Sequence, residues 1–369
     1  MKSYEERTKD NEQKIAAFQT KQKMPYEFKV KYAEVRVREF IRECDKRNLN
    51  THISVGGGLD SITLLKFIHD YCGFSYVPGV SVSSLEDKSI QQIHEQLGVI
   101  KLSPYKSKID IIREYGFPVL SKETAAKIEL LAHPTDKNKT VRHAIITGET
   151  GEYGGFRKHT RMQLSQRWLE LFGGYENENE GVDYKIPPFK VSSQCCFWMK
   201  EKPCDDWAKQ HKSVPFLGLM ASEGGRREKS LMLNGCNYFG KSTIRSAPFA
   251  IFTRQDLLQL ALDLNVPVPT IYGEIKRDFD GKLCTTKAQR TGCSMCGFGI
   301  HMEQRPHRFD RLRERNEKEW DFWMNKCCED ADGTKYGWGR VLDYIGVEWR
   351  DRVFDMKNNQ LSLLDIEEG

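Results

Sequence analysis

The stretch His52-Ile53-Ser54-Val55-Gly56-Gly57-Gly58-Leu59-Asp60-Ser61-Ile62-Thr63-Leu64-Leu65 constrains the chain most, because it reads as a buried strand running through a glycine turn into a helix. Three consecutive glycines let the backbone approach an anion with no Cβ in the way. Asp60 and Ser61 open the helix, where N–H groups lacking an acceptor and the positive end of the dipole face a ligand. Leu64, Leu65 and Ile68 recur on one face and hold that helix against a sheet. This is the pattern of a phosphate cradle. An ordinary strand-to-helix turn capped by Asp60 has the same local signature, so the glycine run alone does not separate the two.

The chain around this turn alternates strand and helix. Strands are expected at residues 51–55, 76–82, 144–148 and 214–220, with helices at 60–71 and 88–97. Such alternation predicts an α/β fold with a doubly wound, mainly parallel sheet, whose ligand lies at the carboxyl ends of the strands. Ser81 and Ser83 leave the second strand at that edge, and Glu86 and Asp87 either reach the ligand or cap the next helix. Residues 148–155 are a glycine-rich loop, either a lid or a connection. Residues 172–190 hold Gly173-Gly174, an acidic run and Pro187-Pro188, which marks a linker or insertion. The expected organisation is a helical N-terminal extension over 1–48, with Tyr32, Val35, Phe40 and Ile41 as packing positions. A nucleotide-binding core follows over 49–300 and a helical C-terminal region over 301–369, where Phe309, Leu312, Trp320 and Trp323 follow Pro306.

A chain of 369 residues, 39% hydrophobic and 30% charged, can bury one large or two moderate cores, and no stretch approaches the roughly 20 apolar residues of a membrane span. The charged start of the chain argues against secretion, so a cytoplasmic location is expected. A net charge of +5, from 57 basic and 52 acidic residues, does not by itself make a nucleic-acid binder. Basic segments at 21–47 and 305–315 are local exceptions, but the first, laced with Glu34, Glu39 and Glu43, also reads as a solvated helix face and does not decide the substrate.

Eleven cysteines without a secretion signal point to metal or redox chemistry. Cys195-Cys196 and Cys293-Ser294-Met295-Cys296 form two pairs, and four thiolates from two pairs can hold one [4Fe–4S] cluster or a zinc ion. Neighbouring cysteines suit zinc poorly, because adjacent side chains diverge. Plain buried thiols are the remaining reading.

The glycine turn followed by Asp60-Ser61 resembles the PP-loop of the N-type ATP pyrophosphatases, Ser-Gly-Gly-x-Asp-Ser, with Gly56 where that family has serine and Leu59 at the variable position. A Cys-Cys pair with a distant Cys-x-x-Cys resembles the cluster signature of the assimilatory adenylyl-sulfate reductases. Cys195-Cys196-Phe197-Trp198-Met199-Lys200-Glu201-Lys202-Pro203 is similar to the Cys-Cys-x-x-x-Lys-x-x-Pro of that superfamily, and Arg290-Thr291-Gly292-Cys293 to its Arg-Thr-Gly-Cys. The loop Ser222-Glu223-Gly224-Gly225-Arg226-Arg227 is similar to its arginine loop, Pro248 to Asp256 to its Pro-Leu-x-x-Trp-Thr-x-x-Asp helix start, and Ile271-Tyr272-Gly273 to its tyrosine turn. These motifs run in order over roughly residues 50–310. The resemblance is to the phosphoadenosine phosphosulfate reductase superfamily, with an adenine nucleotide alpha hydrolase-like fold.

The resemblance implies that Gly56, Gly57, Gly58, Asp60 and Ser61 hold the phosphates of ATP or phosphoadenosine phosphosulfate. Ser81 and Ser83 would lie near the adenosine, Arg226 and Arg227 would neutralise the transferred group, and Cys195, Cys196, Cys293 and Cys296 would hold the cluster. Asp60, Arg226 and Arg227 are the expected catalytic residues, with Mg²⁺ expected if ATP is cleaved. Reductases of this superfamily attack with a cysteine in a C-terminal Glu-Cys-Gly-x-His tail, whereas no cysteine follows Cys328 here. The expected activity is therefore that of an ATP pyrophosphatase in sulfur transfer, similar to Dnd-type phosphorothioation proteins and to phage sequences called phosphoadenosine phosphosulfate reductase-like. A nucleic acid or a sulfur-donor protein is the open partner. A sulfonucleotide reductase and a catalytically silent nucleotide- or redox-sensing protein are the alternatives.

Overall fold

Strand β1 (Asn50–Ser54) lies at the centre of a six-stranded sheet, with β2 (Gly79–Ser81) and β3 (Ile100–Lys101) on one side. On the other side stand β4 (Ser213–Phe216), β6 (Ile244–Ser246) and β5 (Asn237–Phe239), giving the order β3-β2-β1-β4-β6-β5. This computed structural model describes residues 4–176, 184–289, 291–293 and 295–350, and the side chains of residues 4–8, 176, 225 and 226 lie outside the description. The pairings of β1 with β2 and β4, of β2 with β3 and of β4 with β6 are parallel, and only β5 runs antiparallel to its neighbour. The mixed α/β class and the mostly parallel sheet agree with the sequence. No helix among the described residues is long and apolar enough to cross a membrane.

The chain folds into two compact units, each using two segments: residues 1–105 with 199–294, and residues 106–198 with 295–369. These lines fall elsewhere than the sequence boundaries at 48 and 300.

In the first unit, helices α1 (Tyr4–Gln22) and α2 (Tyr26–Lys46) are separated at Pro25, where a proline ring suits a helix start and not an interior. Helix α2 buries Val30, Ala33, Val37, Phe40, Ile41 and Cys44; Val35, expected to pack, points to solvent, one position off that stripe. Helix α3 (Leu59–Lys66) continues as a π turn over Phe67–Tyr71 and puts Leu59, Ile62, Leu64, Leu65 and Ile68 into one core with Ile53, Phe216, Phe249 and Phe252. Helix α4 (Lys88–Gln96) starts at Asp87, whose carboxylate accepts from Ser89 N at 2.9 Å.

In the second unit, residues 139–147, of which 144–147 were expected as a core strand, form the helix Lys139–Thr147. The apolar run Ala144, Ile145 and Ile146 is buried, as is Arg142 one turn earlier, and Gly148 ends the helix at φ +77°, a conformation that glycine adopts without a Cβ penalty. Ile145 and Ile146 belong to a core with Phe117, Phe172, Phe309, Trp338 and Leu342. Around the expected linker, Lys185 N donates to Glu170 O at 2.9 Å and Gly174 N to Lys185 O at 3.2 Å; residues 177–183, most of the acidic run, lie outside the described residues. The aromatic segment after Pro306 is helical over Arg308–Arg315 and Glu317–Asp321, with Phe309, Leu312 and Trp320 buried.

Candidate functional site

The strand order reverses at β1, since the chain moves outward through β2 and β3 and then returns on the opposite side as β4. In an open α/β sheet the carboxyl ends of the two strands at such a reversal diverge and leave a crevice. Here a cleft of about 500 Å³ occupies that place, lined by Gly56, Gly58, Asp60 and Ser61 beyond β1, by Gly218 beyond β4, and by Glu223, Arg227, Arg254, Tyr272 and Thr291. Its floor is the first turn of α3, where Ser61 N donates to Gly58 O at 3.2 Å and the Asp60 carboxylate accepts from the backbone N–H groups of Asp60 and Ser61.

Ser61 shapes that turn. Its hydroxyl accepts from Gly56 N at 3.0 Å and lies 2.8 Å from Gly58 O and 3.2 Å from Gly56 O. The glycines do not need left-handed backbone, since none of the three has positive φ. They need space. A Cβ on Gly57 would fall 2.1 Å from Glu86 Oε2 and one on Gly58 1.9 Å from Asp60 Oδ1, whereas one on Gly56 would meet only Ser61 Oγ at 4.0 Å. Gly218 is similarly restricted, with Asp60 and Ser61 backbone atoms 3.1 Å from its virtual Cβ, so β4 can press against the start of α3.

Two side chains distant in sequence fix the middle of the turn. Tyr272 Oη donates to Gly57 O at 2.8 Å, Thr291 Oγ1 lies 2.9 Å from the same oxygen, and the two hydroxyls are 2.8 Å apart. Tyr272 is 1% exposed, and burial raises its phenol further above the usual range. From the opposite side His94, fully buried, bridges Gly56 O at 3.2 Å and Ser83 Oγ at 2.8 Å. Burial lowers its pKa. The neutral ring therefore donates from Nε2 to the carbonyl and accepts the Ser83 proton at Nδ1.

Glu86 and Asp87 take different roles: Asp87 caps α4, while Glu86 is buried against the turn. Glu86 Oε1 pairs with Lys200 Nζ at 2.5 Å, and its Oε2 has no hydrogen-bond partner among the described residues. Burial works against the charge of Lys200, but Cys293 and Glu86 beside it raise its pKa overall. Asp60 is half-buried, and desolvation, with the nearby charge of Glu223, pushes its carboxyl up to about 6. Across the cleft Arg227 pairs with Glu223 at 3.1 Å, and Arg254 Nη2 donates to Gln289 O at 3.2 Å. Arg254 is the first residue of a helix whose N-cap Thr253 and N3 Asp256 form a reciprocal capping box.

Of the sequence candidates, Gly56, Gly58, Asp60, Ser61 and Arg227 converge on the cleft, and Gly57 lies behind it under the tyrosine latch. Ser81, buried in β2, and Ser83, whose hydroxyl is engaged by His94, are not among the lining residues. The side chain of Arg226, and Arg290 altogether, lie outside the described residues. Glu223, Arg254, Tyr272 and Thr291 stood in quoted motifs without a site role; His94 carried no sequence signal.

Cys195 and Cys196 sit on the short helix Gln194–Cys196, just after Ser192, Ser193 and Gln194, whose side chains all donate to the Glu129 carboxylate at 3.0 to 3.2 Å. Cys195 is buried, while Cys196, Cys293 and Cys296 are half-buried. Cys296 O accepts from Arg308 at 3.2 Å. Among the described residues no three His, Cys, Asp or Glu side chains form a group that could hold a metal.

Comparison with protein-family models, with curated proteins and with solved structures finds no match to this chain.

Proposed function

We propose that the first unit binds an adenine nucleotide in the cleft at the β1–β4 reversal and activates it for sulfur transfer, as a PP-loop ATP pyrophosphatase of the phosphoadenosine phosphosulfate reductase superfamily. The observation that carries this reading is the position of the glycine turn: it ends β1 at the topological switch point, with Arg227 and Arg254 facing it across the cleft. Backbone N–H groups at the start of α3 would take the phosphate oxygens. The guanidinium groups, planar and permanently charged, would neutralise the pyrophosphate end.

In the proposed reaction an acceptor oxygen bonds to the α-phosphorus of ATP as the bridging α–β bond breaks, and pyrophosphate leaves with that electron pair. Charge grows on the departing oxygens, so the contribution of this chain is electrostatic. Asp60 and Glu223 are the residues that would hold Mg²⁺, which supplies further charge neutralisation when bound. A [4Fe–4S] cluster at Cys195, Cys196, Cys293 and Cys296 belongs to the proposal on spacing alone. The test is incubation with α-³²P-labelled ATP, Mg²⁺ and acceptor mixtures. Labelled AMP or an adenylylated product with pyrophosphate supports the reading, and failure of the native protein to bind any adenine nucleotide in calorimetry refutes it.

A further inference from the structure

In the second unit the loop after helix Lys139–Thr147 holds two aromatic rings in solvent: Tyr153 is 107% exposed and Phe156 75% exposed. The two rings stand three residues apart on one short loop. That loop is braced. Thr150 N donates to Arg157 O at 2.9 Å, Arg157 N to Thr150 Oγ1 at 3.0 Å, Phe156 N to Gly151 O at 3.2 Å and Thr160 N to Gly148 O at 3.1 Å. Phe156 and His159 are held at φ +48° and +53°, a left-handed backbone that side-chain-bearing residues avoid. Local strain that presents large apolar rings to water is retained where a partner covers them.

The chemistry around the rings identifies that partner. Arg157, Lys158, His159 and Arg161 follow on the same exposed loop, and the loop packs on the start of the helix, where a Cβ on Gly151 would meet Thr140 Cγ2 at 2.6 Å. Exposed Lys137 and Lys139 flank that contact. Against these stand Asp136, Glu152 and Glu149, the last of which is paired with Lys158 at 3.1 Å. The net surface is cationic, with flat rings among charges rather than an apolar field. A protein interface needs a larger apolar centre, and a bilayer would be met by Glu152 beside Tyr153.

We propose that this loop is a single-stranded nucleic-acid platform, on which Tyr153 and Phe156 stack unpaired bases while Arg157, Arg161 and the neighbouring lysines contact the phosphates. Stacking on aromatic faces is open to bases freed from a duplex and tolerates any base, so binding is weakly sequence-dependent and salt-sensitive.

The test is fluorescence anisotropy of the full chain with a labelled 20-mer of deoxythymidine, alongside the matching duplex and phosphatidylserine vesicles. Tyr153→Ala with Phe156→Ala should weaken oligonucleotide binding at least about tenfold with an unchanged salt slope. Arg157→Ala with Arg161→Ala should weaken it and lower the slope by about 1. Phe279→Ala, at another fully exposed ring, in the first unit, should change nothing. All four side chains are exposed, and circular dichroism checks that the variants fold. Failure of the native chain to bind the oligomer, binding that survives the aromatic substitutions, equal loss in the Phe279 variant, or preference for duplex or vesicles would each overturn the proposal.

Discussion

The hydroxyl of Tyr272 donates to the carbonyl of Gly57 at 2.8 Å although the two residues stand 215 positions apart. Thr291 holds the same oxygen at 2.9 Å, so the centre of the glycine turn is tied to the chain that follows the sheet. Replacing Tyr272 by Phe leaves the ring and removes the buried donor, which costs about 1 kcal/mol of stability. If the turn binds phosphate, nucleotide affinity should fall about fivefold as its geometry loosens. Thr291→Val should act alike. The double variant should lose less or more than the sum, because both hydroxyls share one acceptor; calorimetric titration of the four proteins measures the coupling.

The three glycines are not equivalent. Gly57→Ala drives a methyl group toward the buried Glu86 carboxylate, 2.1 Å away, and should cost about 1–3 kcal/mol in chemical denaturation. Gly56→Ser meets open space and ordinary φ and should be tolerated. In a working phosphate turn the added hydroxyl supplies another donor, and nucleotide binding stays intact or improves. Loss of stability at Gly56 equal to that at Gly57 would show that the turn packs differently.

How far the sequence could be read depended on the range over which each feature is determined. The turn at residues 56–61, strand β1 and helix α3 were legible because a strand end, a glycine run and a helix start are local matters. Residues 144–148 read as a strand because Ile145, Ile146 and Thr147 are β-branched; burial of Arg142 and Ile145 on one helical face overrode that propensity. Tyr272 and Thr291 were visible as motif members, but nothing in their spacing tells that both reach Gly57. The interleaving of two units was equally hidden, because residues 106–198 and 295–350 recognise each other through Phe117, Phe309 and Trp338 and not through any local pattern. Asp87 and Glu86, adjacent and chemically alike, parted because one ends at a helix N-terminus and the other faces inward to Lys200.

Asp60 gives a pH signature. Its folded pKa of about 6 lies above the ordinary carboxyl value of 3.8, so the folded state binds the proton more tightly than the unfolded chain. Below pH 3.8 both states are protonated and the group is neutral toward stability; as pH rises through 6 the native state loses about 2–3 kcal/mol relative to that limit. Asp60→Asn should therefore be nearly silent near pH 4 and stabilising near pH 7. Urea titrations at the two pH values check the crossover. Mg²⁺ with nucleotide prefers the ionised carboxylate, so its affinity for the native protein should rise through the same interval.

The cysteines should separate by environment. Burial pushes Cys44 and Cys72 up to about 12, and both stand in the core at 0% and 3% exposure, so neither should alkylate in the folded protein or matter for any metal. Anaerobic reconstitution tests the proposed cluster: about four irons per chain and absorption near 400 nm are expected, abolished by Cys293→Ser or Cys296→Ser and retained in Cys44→Ser and Cys72→Ser. Stoichiometric zinc would make the pairs a zinc site instead, and colourless, metal-free protein would leave them as plain thiols.

The reaction type turns on the arginines. Arg227 and Arg254 both line the cleft, but Arg227 is an exposed side chain paired with Glu223, whereas Arg254 begins a capped helix and is braced against Gln289. A charge held in advance is worth more to a transition state than one that must be gathered. Arg254→Ala should thus depress turnover of ATP by about 10²-fold or more, and Arg227→Ala by about 10²-fold only if nucleotide binding draws it away from Glu223. Arg254→Lys keeps the charge but loses the fork and should recover little. If the activity were instead a sulfonucleotide reduction through Cys327 or Cys328, Cys327→Ser with Cys328→Ser would abolish it and an enzyme thiosulfonate would appear by intact mass. Under the pyrophosphatase reading that double variant keeps most of its turnover and no adduct forms with phosphoadenosine phosphosulfate.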